Sequence, residues 1–361
     1  MKWKLIMLLA EASLLSGCAQ MAYYGQAAKG QYSLLQKSRP IDDWLSDQST
    51  DSKLKARLIK AKEIRQFAVK ELGLPDNGSY KNYTDLKRPY VLWNVVATPE
   101  LSLRPKQWCF PIAGCVSYRG YYDKADAQAY AERLRSEGFD VQVGGVPAYS
   151  TLGWFNDPFL STFIGYPDGE LARLVFHELA HQVAYAKGDS QFNESFATTV
   201  EEVGVERWLA LNADEQMRLR YMESAGRKQD FLELLLKHRK ALELIYQGND
   251  GDAEKRREKA EVFAALKDGY QQLKVKWGGY TGYDRWFAEP LSNAHLASVA
   301  TYHDFVPGFR ALLALTKNFE AFYAEVKKLA AMDKPVRQQK LTELGTASNS
   351  PALNTRANIE R

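Results

Sequence analysis

The segment His177-Glu178-Leu-Ala-His181 places two imidazoles around a carboxylate, inside an apolar run from Leu174 to Ala186 in which Glu178 is the one charged residue. Residues four apart on a helix lie on one face, one turn above the other, so both imidazoles can reach a single metal ion. An ionised glutamate on so apolar a segment is costly unless something pairs with it, and a metal-bound water is such a partner. Placed beside the metal rather than on it, Glu178 would take a proton from that water and hand it to a leaving amine, which is hydrolase chemistry. Zinc is the expected ion, one per chain. The chain holds five histidines in 361 residues, so two of them flanking a glutamate at this spacing is not what scattered packing histidines give.

A catalytic zinc takes three protein ligands and keeps a position for water. The next helix opens Phe192-Asn193-Glu194-Ser195-Phe196-Ala197-Thr198. Glu194 would face back from a neighbouring helix after a turn at Gly188-Asp189, completing a His-His-Glu set. Glu201, one heptad further, and the adjacent Glu202 are the alternatives. A structural zinc would be closed by a fourth ligand, and no cysteine stands near the motif, which favours catalysis. Amide hydrolysis also builds charge on an oxygen near the metal, where a phenol or imidazole lowers the barrier. Tyr302 and His303 are candidates, in a segment where Asn293, His295, Thr301 and Asp304 interrupt an apolar helix; His295 is a further one. His238, in Leu234-Leu-Leu-Lys-His, reads as a surface residue near a helix face.

The elements that must position these groups are mostly helices. Asp168 reads as the cap of the metal helix, with Glu170 in its first turn, Lys187 in its last and Gly188 as a left-handed stop. Asp189 or Ser190 caps the next helix, Gln191 to Ala210. Periodic segments follow at 214–248, 252–275, 290–301, 303–316 and 318–331, while 343–361 loses periodicity and reads as a frayed tail. Upstream, 21–75 is helical, most clearly Lys53 to Leu72, and Gly73-Leu-Pro-Asp-Asn-Gly78 stops it. Between Tyr80 and Tyr149 the pattern changes to strands at 90–96, 116–122 and 140–146 and a helix from Lys124 to Glu137, with Asp123 as its cap. Gly144 to Trp154, extended and rich in small residues, reads as either an edge strand beside the cleft or a surface connection. The expected fold is α+β and predominantly α-helical: 18–165 with an α+β region and an edge strand, then a helical zinc metallopeptidase region at 166–342.

Composition excludes other classes. With 45% hydrophobic residues the chain is globular, and 48 basic against 44 acidic residues leave a net charge of +4, with no basic cluster interleaved with aromatics. A nucleic-acid partner is therefore not expected. Met1-Lys-Trp-Lys4, the apolar stretch Leu5 to Leu15 and Leu15-Ser-Gly-Cys18 resemble the signal and lipobox of bacterial lipoproteins, although Glu11 departs from that pattern. The resemblance implies removal of residues 1–17, a lipid on Cys18, and, with Ala19 next, an outer-membrane anchor with the body in the periplasm. An ordinary secretory signal with a stray cysteine is the alternative. Cys109 and Cys115 flank Pro111 and Gly114 and suit a disulfide around a tight turn in an oxidising compartment; two free thiols or a metal pair are the other readings.

His177-Glu-Leu-Ala-His181-Gln followed by Asn193-Glu-Ser-Phe-Ala-Thr198 resembles the paired motifs of gluzincin metallopeptidases, especially aminopeptidase N-type enzymes, whose second motif reads Asn-Glu-Gly-Phe-Ala. The resemblance implies that Glu194 is the third zinc ligand and that Tyr302 is the oxyanion phenol. The connection between the motifs is shorter here, and Ser195 replaces the glycine. A larger part of the chain, most of 18–320, resembles a family of bacterial lipoproteins described as zinc aminopeptidases. The likeness includes Tyr23-Tyr24 with Gly30-Gln31, the run from Gly144 to Pro158, Asn293 to Tyr302, and Val306-Pro307. It implies a peptide substrate, and an exopeptidase would need an acid for the substrate's amino end, for which Asp157, Glu201 and Glu202 are candidates. The competing expectation is a non-catalytic envelope lipoprotein with a structural or vestigial zinc site.

Overall fold

The computed structural model describes residues 21–110, 114–297 and 304–348. It begins with helix α1 over 21–36, then strand β1 (Arg39–Pro40), α2 (Ile41–Ser46) and the long α3 (Ser52–Leu72). Asp51 starts α3 by accepting the N–H groups of Lys53 (2.9 Å) and Leu54 (3.2 Å), and Gly73 ends it in the left-handed region, φ 63°. The strands follow as β2 (Asn82–Thr84), β3 (Leu92–Pro99), β4 (Trp108–Phe110), β5 (Gly114–Val116) and β6 (Arg119–Tyr121), with α4 (Lys124–Ser136) leading to β7 (Phe139–Val146) and β8 (Phe159–Leu160). Beyond these the chain is helical: α5 (Asp168–Ala180), α6 (Ser190–Asn212), α7 (Glu215–Gln247), α8 (Asp252–Lys276), α9 (Asp284–Phe287), α10 (Asn293–Ala297), α11 (Val306–Thr316), α12 (Phe319–Ala330) and α13 (Lys334–Ser348). The fold is α+β and predominantly helical. No helix among the described residues is long and apolar enough to cross a membrane.

The sheet that matters to the site has β3 at its centre, with β6 and β7 antiparallel on either side. Alternation along the strands sorts its two faces. Trp93, Val95, Ala97 and Val141 pack on Ala127, Ala131 and Leu134 of α4. The other face carries Asn94, Val96, Gln142 and Gly144, with Asn94 opposite both Gly120 and Gly144. β7 is an edge of this sheet. β4 and β5 form a hairpin in which Cys109 pairs with Cys115 and the two are joined by a disulfide. A smaller sheet runs β1-β2-β8.

The main core draws on both halves of the chain: Leu58 and Ile64 of α3, Phe159 and Phe163, Phe176 of α5, and Phe196 of α6. α5 lies along α6, and α11 packs on α6. A separate cluster joins α7 and α8 through Phe231, Leu235, Leu242 and Leu266, with Leu296 of α10.

The structure corrects several expectations. α5 stops at Ala180 rather than continuing to Lys187, because Gln182 and Val183 donate to Leu179 (3.1 Å) and Ala180 (2.9 Å) in tight turns. The Gln182 side chain is drawn away to Asn77 and Ser79. Gly188 does adopt a left-handed conformation, φ 75°, but in the connection and not at a helix end. Asp168 is not a cap; Pro167 holds that place with no side-chain bond, and the Asp168 carboxylate pairs instead with Arg57. The expected frayed tail is helical as far as Ser348, the end of α13. His238 is 7% exposed, with Nδ1 2.8 Å from the carbonyl of Leu234, so it belongs to the α7 packing face and not to the surface.

Candidate metal centre

His181 lies one residue past the end of α5 but keeps helical backbone angles, φ −57° and ψ −22°, so its ring stays on the His177 face. The two Nε2 atoms are 3.2 Å apart. Oε2 of Glu194, from the first turns of α6, is 3.3 Å from Nε2 of His177 and 3.7 Å from Nε2 of His181. A tetrahedral ion with bonds of about 2.0–2.1 Å separates its ligands by roughly 3.3 Å, so the spacing fits one small cation with three protein ligands. Among the described residues this is the one group of three or more His, Cys, Asp or Glu so placed. Two imidazoles and a carboxylate also suit zinc chemically, and three ligands leave a coordination position for water.

The opposite edge of His177 is held from behind. Its Nδ1 lies 2.7 Å from Oε2 of Glu201, which directs Nε2 and its lone pair at the cation position. Glu201 is in turn fixed by Arg173, 2.8 Å away, and Arg173 by Glu170 at 2.9 Å. Burial disfavours a charge on His177, but Glu201 and Glu194 outweigh it and lift the imidazole to about 10, so a cation bound there would displace the Nε2 proton. His181 faces less opposition to burial and is lowered to about 4. Burial also works against ionised Glu194, yet His181 and His177 hold its carboxyl below the usual range. Glu178 is pushed up to about 7, chiefly by burial, with His177 opposing and the carboxylates of Glu194 and Asp157 adding to the rise. A carboxyl poised there suits a general base working near neutral pH.

Asn193 explains how a short connection brings the third ligand into place. Its side chain clasps Ala186 from both sides, accepting from the Ala186 N–H (2.7 Å) and donating to the Ala186 carbonyl (3.0 Å). Asp189 caps α6 by accepting from Phe192 N–H at 3.3 Å. The clasp closes the loop, so the residue after Asn193 is turned toward the histidines. The family model described as "Putative aminopeptidase" matches residues 22–341, most of the chain. The chain belongs to this family. No curated protein and no solved structure matches it.

In this aminopeptidase-family chain a cleft of about 190 Å³ opens beside Glu194. Glu194 and Ser190 of α6 form one side, and the polar sheet face, with Asn94, Gln142 and Gly144, forms the other. Tyr118, between β5 and β6, also lines it, and its phenol, 40% exposed, is an ordinary protonated donor at neutral pH. Tyr118 falls inside a segment read only as strand, and nothing in its sequence context marks it out.

The other candidates fall elsewhere. Glu201 orients His177 from behind instead of ligating, and Glu202 pairs with Arg310 at 2.9 Å. Asp157 is 4% exposed and accepts from Thr151 N–H (2.9 Å) and Oγ1 (2.8 Å). None of these three acids lines the cleft. His295 is buried against the Trp286 ring, where Ser292 N–H donates to its Nδ1 at 3.1 Å, in the α7/α8 cluster and not at the site. Tyr302, His303 and Cys18 lie outside the described residues. Asp304, next to His303, is tied to Gln191 of α6, and Phe305 N–H donates to Ser195 Oγ at 3.3 Å.

Proposed function

We propose that the chain is a zinc-dependent peptidase of the aminopeptidase family, held to the bacterial envelope by a lipid on Cys18, with its body in the periplasm. The observation that carries the reading is the convergence of His177 Nε2, His181 Nε2 and Glu194 Oε2, with Glu178 next in sequence to His177 and outside that triad. Zinc, when bound, supplies a Lewis acid for the substrate carbonyl and acidifies the attacking water. Glu178, next to His177, would be the residue to accept that water's proton and pass it to the leaving nitrogen. Glu201 keeps His177 turned so that Nε2 faces the ion. The neutral amide and hydroxyl groups of the cleft would hydrogen-bond a peptide backbone, and β7, an edge strand among the described residues, would offer it a strand to extend. Among the aromatic donors, Tyr302 remains the phenol implied by the gluzincin likeness.

The deciding experiment is Glu178→Gln. The variant should bind the same one zinc per chain as wild type while peptide hydrolysis falls by about 10²–10⁴-fold. A wild-type protein that bound zinc and cleaved nothing in a broad peptide library would instead be a non-catalytic envelope lipoprotein. For the anchor, Cys18→Ser should abolish incorporation of labelled fatty acid and move the protein from the membrane to the soluble fraction.

A further inference from the structure

We propose that Gly144 sets the size of the subsite that receives the substrate side chain beside the bond being cut, and that this subsite takes uncharged side chains. The inference rests on the peptidase reading and adds the substrate class to it.

Two adjacent glycines on β7 have opposite reasons to be glycine. At Gly145 a Cβ would lie 2.3 Å from the Tyr90 ring, so packing alone demands the residue. At Gly144 a Cβ would meet nothing within 4 Å, and the residue is not among those with positive φ. A glycine inside a strand gives up conformational stability and a side chain that could pack, so it calls for another reason. Gly144 lines the cleft that Glu194 enters from the other side, and any side chain there would project into that space. Its cross-strand neighbour Asn94, also in the lining, has a buried Oδ1 with no hydrogen-bond partner among the described residues.

Apart from Glu194, which the metal engages, the described lining carries no charged side chain. A substrate carboxylate would find no basic side chain in the lining, and a substrate ammonium would find no acid there besides Glu194.

The test uses the zinc-loaded full chain, Gly144→Val and Gly144→Leu, peptide pairs with Ala or Phe next to the scissile bond, and the hydroxamates of Ala and Phe as metal-directed probes. Wild type should accept Phe at least as well as Ala and cut Glu or Lys at that position at least about tenfold more slowly. Both variants should melt at or above the wild-type temperature, keep Ala substrates within a few-fold, and lose Phe substrates by about tenfold or more. Equal effects on Ala and Phe, or none, overturn the assignment, as does a preference for charged side chains. If wild type cleaves no peptide, the peptidase reading fails separately, and calorimetric binding of the two hydroxamates still decides the subsite: Gly144→Leu must weaken Phe hydroxamate selectively.

Discussion

Glu201 touches the back of His177, and that position ties its effect to metal affinity more than to the chemical step. Glu201→Gln keeps the shape and one acceptor but removes the charge shared with Arg173, so zinc affinity should drop about 10–100-fold in a chelator competition. At saturating zinc the variant should retain far more activity than Glu178→Gln; equal losses in the two would place Glu201 in the reaction itself. Asp157 supplies a pH signature. Burial outweighs its hydrogen bonds from Thr151 and raises its carboxyl from 3.8 to about 6. Because the folded value lies above the unfolded one, its contribution to stability is present below about pH 4 and is lost as pH rises through 6, an amount of at most about 3 kcal/mol. Asp157→Asn has no proton to lose, so its melting temperature relative to wild type should rise between pH 4 and pH 7. A constant difference across that range would refute the shift.

Elements were legible where local signals set them. Asp123 and Asp189 cap the helices they precede, and Gly73 ends α3, because each acts within one turn of itself. The two histidines were legible for the same reason, since helix spacing puts them on one face, whereas Glu194 stood beside Glu201 and Glu202 until the packing of α6 along α5 brought it to them. The end of α5 was not, because it is fixed by a clasp from Asn193, on the following helix, and by Gln182 reaching Asn77 and Ser79. β1, β2 and β8 are two or three residues long and carry no period to read. Neither the Tyr118 position nor the orienting contact of Glu201 follows from spacing, since both depend on how separate elements dock. The clasp can be tested at its own scale. Asn193→Ala leaves the N–H and C=O of Ala186 without partners in a buried loop and should cost about 2–4 kcal/mol in urea unfolding. It should also weaken zinc binding, although Asn193 touches no metal. On β7, Gly145→Ala should destabilise by forcing Tyr90 aside, whereas Gly144→Ala should stabilise by about 0.5–1 kcal/mol.

At the scale of the molecule, distant parts of the chain meet on the connection between the two metal helices. The hairpin closed by Cys109 and Cys115 presses on it from one side: a Cβ at Gly114 would be 2.9 Å from the Gly188 nitrogen. From the C-terminal end, α13 reaches it with Lys334 Nζ, 3.3 Å from the Gly188 carbonyl. Asp189, next in the chain, is fully buried and faces Arg337 Nε at 3.3 Å, Lys334 Nζ at 3.7 Å and Gln338 Nε2 at 3.2 Å. Arg337 is itself 6% exposed, so this is an interior ion pair, and removing it leaves the buried Asp189 carboxylate to the half-exposed Lys334 and to Gln338. Arg337→Met should therefore destabilise the protein by about 1–3 kcal/mol and weaken zinc affinity together with it, because the strain falls on the segment that presents Glu194. Excess zinc should recover part of the lost melting temperature by mass action, on the order of 4 kcal/mol at a thousandfold excess over Kd. Arg256→Met removes an arginine that pairs with Glu100 on the surface, half exposed on both sides, and should leave both stability and zinc binding at their wild-type values. If Arg337→Met lowered stability while zinc affinity stayed at the wild-type value, α13 would be a structural prop with no hold on the metal site.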